Sequence, residues 1–363
     1  MTLRPYQVRA VDFVLPRERA FVVSPAGSGK TIMAAAAASR KVGAFARVAW
    51  LANTREQCEQ ARAACLRVCW PDPVSIDIRC VAGRPDVSGA DLVIIDEAHH
   101  TPARTWWNAV AQAPATVWGF SATPWSGDWE RDAILKAFFG EDNFVTIPRD
   151  EVQAGGSITA GRVIIHDLDE PGAFDAAIAE KTAAEVVVRM KRHPYIPRDE
   201  QERRVRWQFT AEAVRANPVR NSRIVEIANE TTAATLVLVS TVEHGEQLAA
   251  RITGATLVHA KLGKKKRTAA IDAFRDGSLR CMIATSLADE GLDVPRASVL
   301  VLAAGGRSAG KLEQRAGRVM RPHEGKEFGL VHDFADRGAG LAHNQFKARA
   351  RTYKRLGYTI TNA

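Results

Sequence analysis

The stretch FVVSPAGSGKTIMAAAAA, residues 21–38, joins a β-branched run, a loop of small residues and an alanine-rich segment. This order predicts a buried strand, a tight turn and a helix. Backbone N–H groups in such a loop point inward and, together with the helix N-terminus, bind phosphate oxygens. The stretch therefore predicts a nucleotide-binding α/β domain; the alternative is a strand–helix turn without a ligand.

The spacing of the loop assigns roles to its residues. Gly27 and Gly29 allow close approach of the backbone, Lys30 would reach the β- and γ-phosphates of ATP, and Thr31 would bind Mg²⁺. The strict pattern has glycine where this chain has Ser24. The predicted nucleotide-binding residues of the loop are Pro25, Ala26, Gly27, Ser28, Gly29, Lys30 and Thr31.

A second stretch, DLVIIDEAHH (residues 91–100), places two carboxylates directly after an apolar strand. Ligands bind at the carboxyl edge of parallel sheets, so Asp96 is expected to complete the Mg²⁺ shell and Glu97 to orient the attacking water. A histidine metal centre is the alternative. It lacks an H-E-x-x-H spacing, and neighbouring residues on a strand would point His99 and His100 to opposite faces.

Short apolar runs alternate with helix-like segments along the whole chain. AFVV, RVAWL, LVII and TVWGF form a first set of predicted strands. RVIIHDL, TLVLVS, ATLVHA, CMIATS, SVLVLAA and GLVHDF form a second set. Their continuous β-branched composition is typical of parallel sheets covered on both faces, so we predict two tandem doubly wound α/β domains. The predicted boundaries are 1–155 for the first domain and 156–336 for the second.

Two further segments are predicted to be helical. Residues 171–232 hold two amphipathic segments separated by HPYIP, and they form either a helical insertion in the second domain or a solvated cover. Residues 337–363 contain six Lys and Arg and no acid. They predict a basic C-terminal helix that contacts phosphates or lies on the surface.

Composition limits the class of protein. The 363 residues carry a formal net charge of +9, which favours a polyanionic partner. No apolar run is long enough to span a bilayer and no signal-peptide pattern opens the chain, so we expect a cytoplasmic protein without membrane contact. Five cysteines without a C-x-x-C pair fit a reduced compartment. Buried thiols are expected at Cys58, Cys65 and Cys69, with an iron–sulfur cluster as the alternative.

With both stretches in register, the chain resembles a superfamily 2 helicase of the DEAH-containing branch, which includes XPB-, RecG- and UvsW-like enzymes and type I and III restriction motors. LRPYQ resembles the adenine-reading element, which implies contacts from Arg4 and Gln7. AWLANTREQCEQ and VAGRP resemble loops that contact nucleic acid. DEAHH followed by WGFSATP resembles motifs II and III, which implies coupling between ATP and nucleic acid. The residues implied are Thr54, Arg55, Gly83 and Arg84 for nucleic acid, and His99, Ser121 and Thr123 for coupling.

The second half of the chain continues the resemblance. TLVLVSTVEHGEQLAARI resembles motif IV, with Thr241 on nucleic acid. IATSLADEGLDVP resembles motif V, with Thr285 on nucleic acid and Gly291 and Asp293 towards the nucleotide. QRAGRVMRP resembles motif VI, and the spacing of Gln314, Arg318 and Arg321 would place them on one helix face. Two guanidiniums there would stabilise charge on the γ-phosphoryl group.

The resemblance implies two RecA-like domains and a small stand-alone motor of phage type. ATP and Mg²⁺ are the cofactors that it implies. The function it implies is an ATP-dependent DNA helicase or translocase, acting by backbone contacts with little sequence specificity. An RNA helicase and an ATP-gated subunit of a larger complex are the alternatives. A monomer is expected, and the sequence identifies no partner protein.

Overall fold

The computed structural model describes residues 2–41, 47–68, 75–111, 113, 116–125, 127–285 and 294–363. The chain divides into two compact units, Met1–Ile158 and Thr159–Ala363. Each unit is built on a parallel sheet flanked by helices, so the predicted fold class is confirmed. No helix in the described part of the chain is long and apolar enough to cross a membrane.

The first unit contains a sheet with strand order β3-β2-β4-β5-β1-β6 in which all neighbours are parallel. Its strands are β1 Arg19–Val23, β2 Arg47–Ala52, β3 Ser75–Cys80, β4 Leu92–Asp96, β5 Thr116–Ser121 and β6 Phe144–Thr146. Strands β1, β2, β4 and β5 were predicted from their apolar runs. The edge strands β3 and β6 were not, because SIDIRC alternates polar with apolar residues and FVT is only three residues long.

Helices cover both faces of this sheet. The helices of the unit are α1 Pro5–Val14, α2 Lys30–Lys41, α3 Arg55–Arg67, α4 Arg104–Val110, α5 Trp129–Phe139 and α6 Arg149–Ala154. Helices α1 and α3 both pack against α2 on one face. On the other face, Trp106 of α4 and Phe139 of α5 pack with Phe21, Val93 and Val117 of the strands. This arrangement leaves the carboxyl ends of the strands and the loops that follow them as the open edge of the sheet.

The second unit contains a parallel sheet with strand order β13-β7-β12-β11-β8-β10-β9. Its strands are β7 Ala160–His166, β8 Thr235–Leu238, β9 Ala255–Val258, β10 Cys281–Ala284, β11 Val299–Leu302, β12 Phe328–Phe334 and β13 Thr359–Asn362. Six of these were predicted. The polar edge strand β13 was not, because its pairing with β7 depends on a partner nearly 200 residues upstream.

The helices of the second unit correct the expectation for residues 171–232. They are α7 Asp175–Arg192, α8 Arg198–Ala216, α9 Pro218–Glu230, α10 Val242–Ala249, α11 Lys264–Asp276, α12 Ala309–Val319 and α13 Gly340–Arg355. Helix α9 buries Ile224 and Ile227 against the sheet residues Val237 and Phe334, so it is part of the core rather than of an insertion. Helices α7 and α8 pack against each other, and their Ile178 and Val214 form an apolar cluster with Ala342 of α13; that they are an insertion remains a prediction.

The basic C-terminal segment is also more than a surface helix. Arg349 of α13 is 3% exposed, and its Nε and Nη2 donate to Asp333 at 2.8 and 2.9 Å. Its Nη1 donates to Gly306 O at 3.0 Å. The Tyr353 hydroxyl donates to the same carboxylate at 2.9 Å. Helix α13 therefore holds the end of β12 and the loop that precedes α12, and the chain then continues into β13.

We expect Arg349→Met to lower the free energy of unfolding by about 3–5 kcal/mol, because Asp333 is left buried without its counter-charge. Arg351→Met, on the exposed side of the same helix, is the matched control and should change stability by less than about 0.5 kcal/mol. Urea unfolding followed by circular dichroism measures both. Equal losses in the two variants would contradict the role given to the buried ion pair.

Candidate functional site

The loop between β1 and α2 has the backbone that its glycines predict. Gly27 and Gly29 have φ of +86° and +83°, in the left-handed region that residues with a Cβ rarely adopt. A Cβ at Gly29 would lie 2.7 Å from Gln7 Nε2, and one at Gly27 would lie 3.0 Å from Ile158 Cγ2. Both positions therefore require glycine for conformation and for space.

Lys30 begins α2 and its ammonium lies over the loop. Its Nζ donates to Ser24 O at 3.2 Å and to Pro25 O at 3.3 Å. Ser24, which replaces the usual glycine, is fully buried and its N–H donates to Ser121 O at 3.0 Å. The hydroxyls of Ser24 and Ser28 have no hydrogen-bond partner among the described residues. The substitution at position 24 thus leaves the loop attached to the neighbouring strand.

Helix α1 supports the loop from below. The Tyr6 hydroxyl donates to Ser28 O at 2.8 Å and Gln7 Nε2 donates to the same oxygen at 3.0 Å. Gln7 Oε1 accepts from Arg4 N at 3.0 Å, which caps the start of α1. Gln7 is 4% exposed. It therefore serves the loop and the helix cap in this structure, and adenine reading by Gln7 and Arg4 stays a prediction.

The two predicted carboxylates lie at the same edge of the sheet as the loop. Asp96 is the last residue of β4, two strands from β1 in the order β4-β5-β1. Glu97 follows with φ 52° and ψ 48°, a left-handed conformation that costs a residue with a side chain on the order of 1–3 kcal/mol. The turn redirects the chain into a short 3₁₀ helix, Ala98–His100. Strain of this kind is found where the surrounding contacts determine a side-chain position.

The electrostatic environment separates the two carboxyl groups. Burial, followed by the charge of Glu97, raises the pKa of Asp96 to about 7. Burial also opposes ionisation of Glu97, but the hydrogen bond from His99 and the charge of Lys30 outweigh it and lower the pKa of Glu97 to about 2. The two pKa values move in opposite directions, so Glu97 ionises before Asp96, and a further positive charge would favour ionisation of Asp96.

A small hydrogen-bonded network surrounds Glu97. His99 Nδ1 lies 2.8 Å from Ser121 Oγ and 3.4 Å from Glu97 Oε2. Ser121 Oγ also accepts from Thr123 N at 3.2 Å and lies 3.5 Å from Glu97 Oε2. The structure thus joins Glu97 to His99 of the 3₁₀ helix and to Ser121 at the end of β5. His99, Ser121 and Thr123 are the residues for which coupling was predicted, and the coupling role itself remains a prediction.

The two histidines correct one step of the sequence argument. His99 and His100 lie on the 3₁₀ helix rather than on a strand, and their ring centroids are 4.1 Å apart. His100 also stacks on Trp106 at 5.9 Å, and burial lowers its pKa to about 4. Among the described residues no three His, Cys, Asp or Glu side chains are grouped so that they could hold a metal ion. The expectation that the rings point apart was wrong.

The donor set fits Mg²⁺ held mainly by a nucleotide. Mg²⁺ prefers oxygen ligands, keeps several waters and uses one or two protein groups beside phosphates. Thr31 supplies a partly exposed hydroxyl at the second position of α2, and Asp96 supplies a carboxylate. The raised pKa of Asp96 means that a cation beside it would stabilise its ionised form. These residues would provide a site once phosphates are present.

The predicted nucleic-acid residues of the first unit follow β2, which neighbours β4, and β3, which lies beyond β2 in the same sheet. Thr54 caps α3 and accepts from Gln57 N at 3.2 Å, while Arg55 is exposed. Gly83 ends a short 3₁₀ helix, and the exposed Arg84 has φ 48°. The structure places these residues along one edge but tests none of the contacts predicted for them.

In the second unit, two predicted residues also follow strands. Thr241 comes after β8 and caps α10 by accepting from His244 N at 3.3 Å. Thr285 follows β10, is 9% exposed and donates its N–H to Val258 O at 3.3 Å. Gly291 and Asp293 lie outside the described residues.

Helix α12 carries part of motif VI. Gln314 and Arg318 lie on the helix, and Arg318 is 6% exposed. The helix ends at Val319, so Arg321 does not share its face, contrary to the prediction. Pro322 explains the difference, because a proline disfavours helical backbone in the residue before it. Burial lowers the pKa of Arg321.

Sequence reasoning missed several residues that contact these motifs. Tyr6 lies in the LRPYQ stretch, which predicted no role for it, and its hydroxyl donates to Ser28 O of the phosphate loop. Ser157 Oγ bonds to the Tyr6 hydroxyl, and no motif in the sequence marks Ser157. Cys80 Sγ donates to Asn53 O at 3.0 Å and so supports the loop after β2. Each contact joins segments at least 22 residues apart, which local pattern cannot reveal.

Two protein families match this chain. Residues 1–75 and 75–126 match the family described as type III restriction enzyme, res subunit. Residues 220–323 match the family described as helicase conserved C-terminal domain. The matches fall one in each unit and include the phosphate loop, the carboxylate pair and motif VI.

Similar curated proteins carry helicase names. "Putative DNA 3'-5' helicase Rad25" of Halobacterium salinarum is 28% identical over 354 residues, covering 89% of this chain and 52% of that protein. "Putative helicase 22" of Sulfolobus islandicus filamentous virus is 30% identical over 253 residues, covering 68% of this chain and 43% of that protein. The chain thus spans about half the length of these relatives.

Solved structures share the fold. Dbp5 of S. cerevisiae bound to RNA and ADP BeF3 aligns with a TM-score of 0.60 and 18% identity over 99% of this chain and 89% of that chain. The Hef helicase domain of Pyrococcus furiosus aligns with a TM-score of 0.54 and 15% identity over 91% and 95%. With a res-subunit match in its first unit and a helicase C-terminal match in its second, this chain belongs to the superfamily 2 helicases.

Proposed function

We propose that this protein is an ATP-dependent DNA helicase or translocase that couples ATP hydrolysis to movement along, or unwinding of, DNA, including branched DNA. The observation that carries the proposal is the edge of the first sheet. There the glycine loop with Lys30, the carboxylates Asp96 and Glu97, and the hydroxyl of Ser121 follow three neighbouring strands. This combination is suited to binding a nucleotide and orienting a water against it.

Each residue has a task in the proposed ATP reaction. The loop N–H groups between Pro25 and Gly29 would hold phosphate oxygens, and Lys30 would turn from the loop carbonyls to the phosphates. Mg²⁺ on Thr31 and Asp96 would neutralise phosphate charge. Glu97, ionised and held by His99 and Ser121, would orient the attacking water. The buried network gives that carboxylate one position.

The second unit would supply the remaining groups. We assign Gln314, Arg318 and Arg321 to the γ-phosphoryl group, where positive charge can be worth on the order of 10³–10⁵ in rate. Gly291 and Asp293 are assigned to the nucleotide by their place in motif V. Arg321 would act from the turn after α12 rather than from its face.

DNA is proposed as the polymer because relatives carry the names DNA 3'-5' helicase and DNA 3'-5' translocase. The net charge of +9 supports a polyanion. Contacts are assigned to the residues after the strands of each unit: Thr54, Arg55, Gly83, Arg84, Thr241 and Thr285. Hydroxyl, guanidinium and backbone groups of this kind suit phosphate contact, which carries little sequence information.

A finer placement belongs to the same proposal. The sequence Asp96-Glu97-Ala98-His99 and relatives named Rad25 and XPB support the DEAH-containing XPB-like branch. A relative from a filamentous virus supports a phage-type motor. The free cysteines 58, 65, 80 and 281 support a reducing, cytoplasmic setting. We propose action as a monomer.

Lys30→Ala should lower ATP turnover by at least about 10²-fold, because the charge that attracts the phosphates is lost. Lys41→Ala, an exposed lysine at the other end of α2, is the control and should retain turnover. A phosphate-release assay at saturating DNA measures both. Near-normal turnover in Lys30→Ala would contradict the assignment of the loop.

Glu97→Gln should bind ATP and lose turnover by about 10²–10⁴-fold, because an amide cannot accept the proton of the attacking water. Ser121→Ala keeps the carboxylate but removes its neighbour, so turnover should fall by about ten-fold with ATP affinity retained. Ser39→Ala on α2 controls for a lost hydroxyl. Single-turnover hydrolysis and nucleotide titration separate the steps. Lost ATP binding in Glu97→Gln would rule out the water-orienting role.

ATP turnover should rise with single-stranded, duplex or forked DNA and less with RNA, because the relatives' names point to DNA. The stimulation should decline steeply between 50 and 200 mM salt, roughly as expected for several phosphate contacts. The measurement is the ATPase rate with the four polymers side by side. Stimulation by RNA alone would favour an RNA helicase, and none by any polymer would favour a subunit that needs a larger complex.

A further inference from the structure

The three residues Ser157, Ile158 and Thr159 join the two units and contact a nucleotide motif on each side. Ser157 and Ile158 end the first unit, and Thr159 begins the second. They follow α6 and precede β7. We call residues 157–159 the connector. None of the three lies in a motif identified from the sequence.

On the first-unit side, a chain of hydrogen bonds runs from the connector to the phosphate loop. Ser157 Oγ bonds to the Arg4 guanidinium and to the Tyr6 hydroxyl. Tyr6 has one hydroxyl hydrogen, which it donates to Ser28 O at 2.8 Å. Ser157 must therefore donate to Tyr6 and accept from Arg4. The order is Arg4 to Ser157 to Tyr6 to the loop carbonyl, with Ser157 and Tyr6 6% and 3% exposed.

Ile158 adds a packing contact to the same loop. Its Cγ2 lies 3.0 Å from the point where a Cβ on Gly27 would be, and its side chain is 2% exposed. Gly27 has φ +86°, so the left-handed turn of the loop lies directly against the connector. A shift of Ile158 would change the space available to Gly27, because close-packed groups transmit displacement.

On the second-unit side, Thr159 holds the end of the motif VI helix. Thr159 N donates to Met320 O at 2.7 Å and Thr159 Oγ1 donates to the same oxygen at 3.2 Å. Met320 is the C-cap of α12 and immediately precedes Arg321. The turn that presents Arg321 is therefore attached to the first residue of the second unit.

We infer that Tyr6, Ser157 and Thr159 are positioning residues that tie the geometry of the phosphate loop to that of the motif VI turn through the connector. The inference rests on the proposed ATPase function. Three consecutive residues span at most about 10 Å, so the anchor of the phosphate loop and the anchor of the motif VI turn lie next to each other in the chain. A displacement of the connector would reach Gly27 through Ile158 and Ser28 through Tyr6.

The loop side is tested with Tyr6→Phe and Ser157→Ala. Each removes one link, so each should raise the KM for ATP by about three- to ten-fold with little change in kcat. The KM of the double variant should not exceed the higher KM of the two single variants, because either change alone disconnects the loop. Ser157→Thr keeps the hydroxyl and should restore the KM. Tyr195→Phe and Ser39→Ala, at an exposed tyrosine and a serine of α2, are the matched controls.

The helix side is tested with Thr159→Val, which removes the side-chain bond to Met320 O and keeps the shape. The DNA-stimulated kcat should fall by about two- to five-fold, a larger change than in KM, because the turn before Arg321 loosens. Thr361→Val in β13, whose hydroxyl bonds to Val163 O, is the matched control. Melting temperatures of all variants show whether each protein is folded.

Unchanged KM in Tyr6→Phe and Ser157→Ala, additive effects in their double variant, or equal behaviour of Thr159→Val and Thr361→Val would overturn the inference. Titration with a fluorescent ATP analogue gives the affinity without hydrolysis. A wild-type protein that binds the analogue but is stimulated by no nucleic acid would refute the proposed function alone. The affinities of the loop-side variants would then still decide whether the connector positions the loop.

Discussion

The carbonyl oxygen of Ser28 is the acceptor on which the candidate site depends. It receives hydrogen bonds from Tyr6 and Gln7, both on α1. A loop with two left-handed glycines has many accessible conformations, and ordering it costs backbone entropy. Two buried donors on a single carbonyl offset this cost and select one conformation. Tertiary contacts within the protein therefore hold the phosphate loop in one conformation.

The carboxylate pair illustrates a second constraint at the same edge. Adjacent buried acids repel each other, and both lose hydration. The fold resolves this by surrounding Glu97 with His99 and Ser121 and by leaving Asp96 near Lys30. The left-handed turn at Glu97 is the backbone cost of directing its side chain into that network. This arrangement favours ionisation of Glu97 over ionisation of Asp96.

The second unit is organised around another buried charge. Arg349 pairs with Asp333 and also donates to Gly306 O, and Gly306 N donates to Gln345 Oε1 of the same helix. The basic C-terminal helix thus fixes the segment that leads into α12. Thr159 donates to Met320 O at the other end of α12. Basic composition alone left phosphate contact and a surface position open, and it did not indicate a structural ion pair.

Local pattern and spacing predicted the strand–loop–helix of the phosphate loop, the central strands of both sheets and the acidic end of β4, because each of these depends on neighbouring residues. Tertiary structure decided the edge strands β3, β6 and β13, whose short or polar sequences become strands only beside a partner. It also decided that His99 and His100 lie together, that Arg321 leaves the helix, and that Ser157 reaches the loop. Hydrogen bonds between residues that are distant in the chain leave no periodic pattern in the sequence.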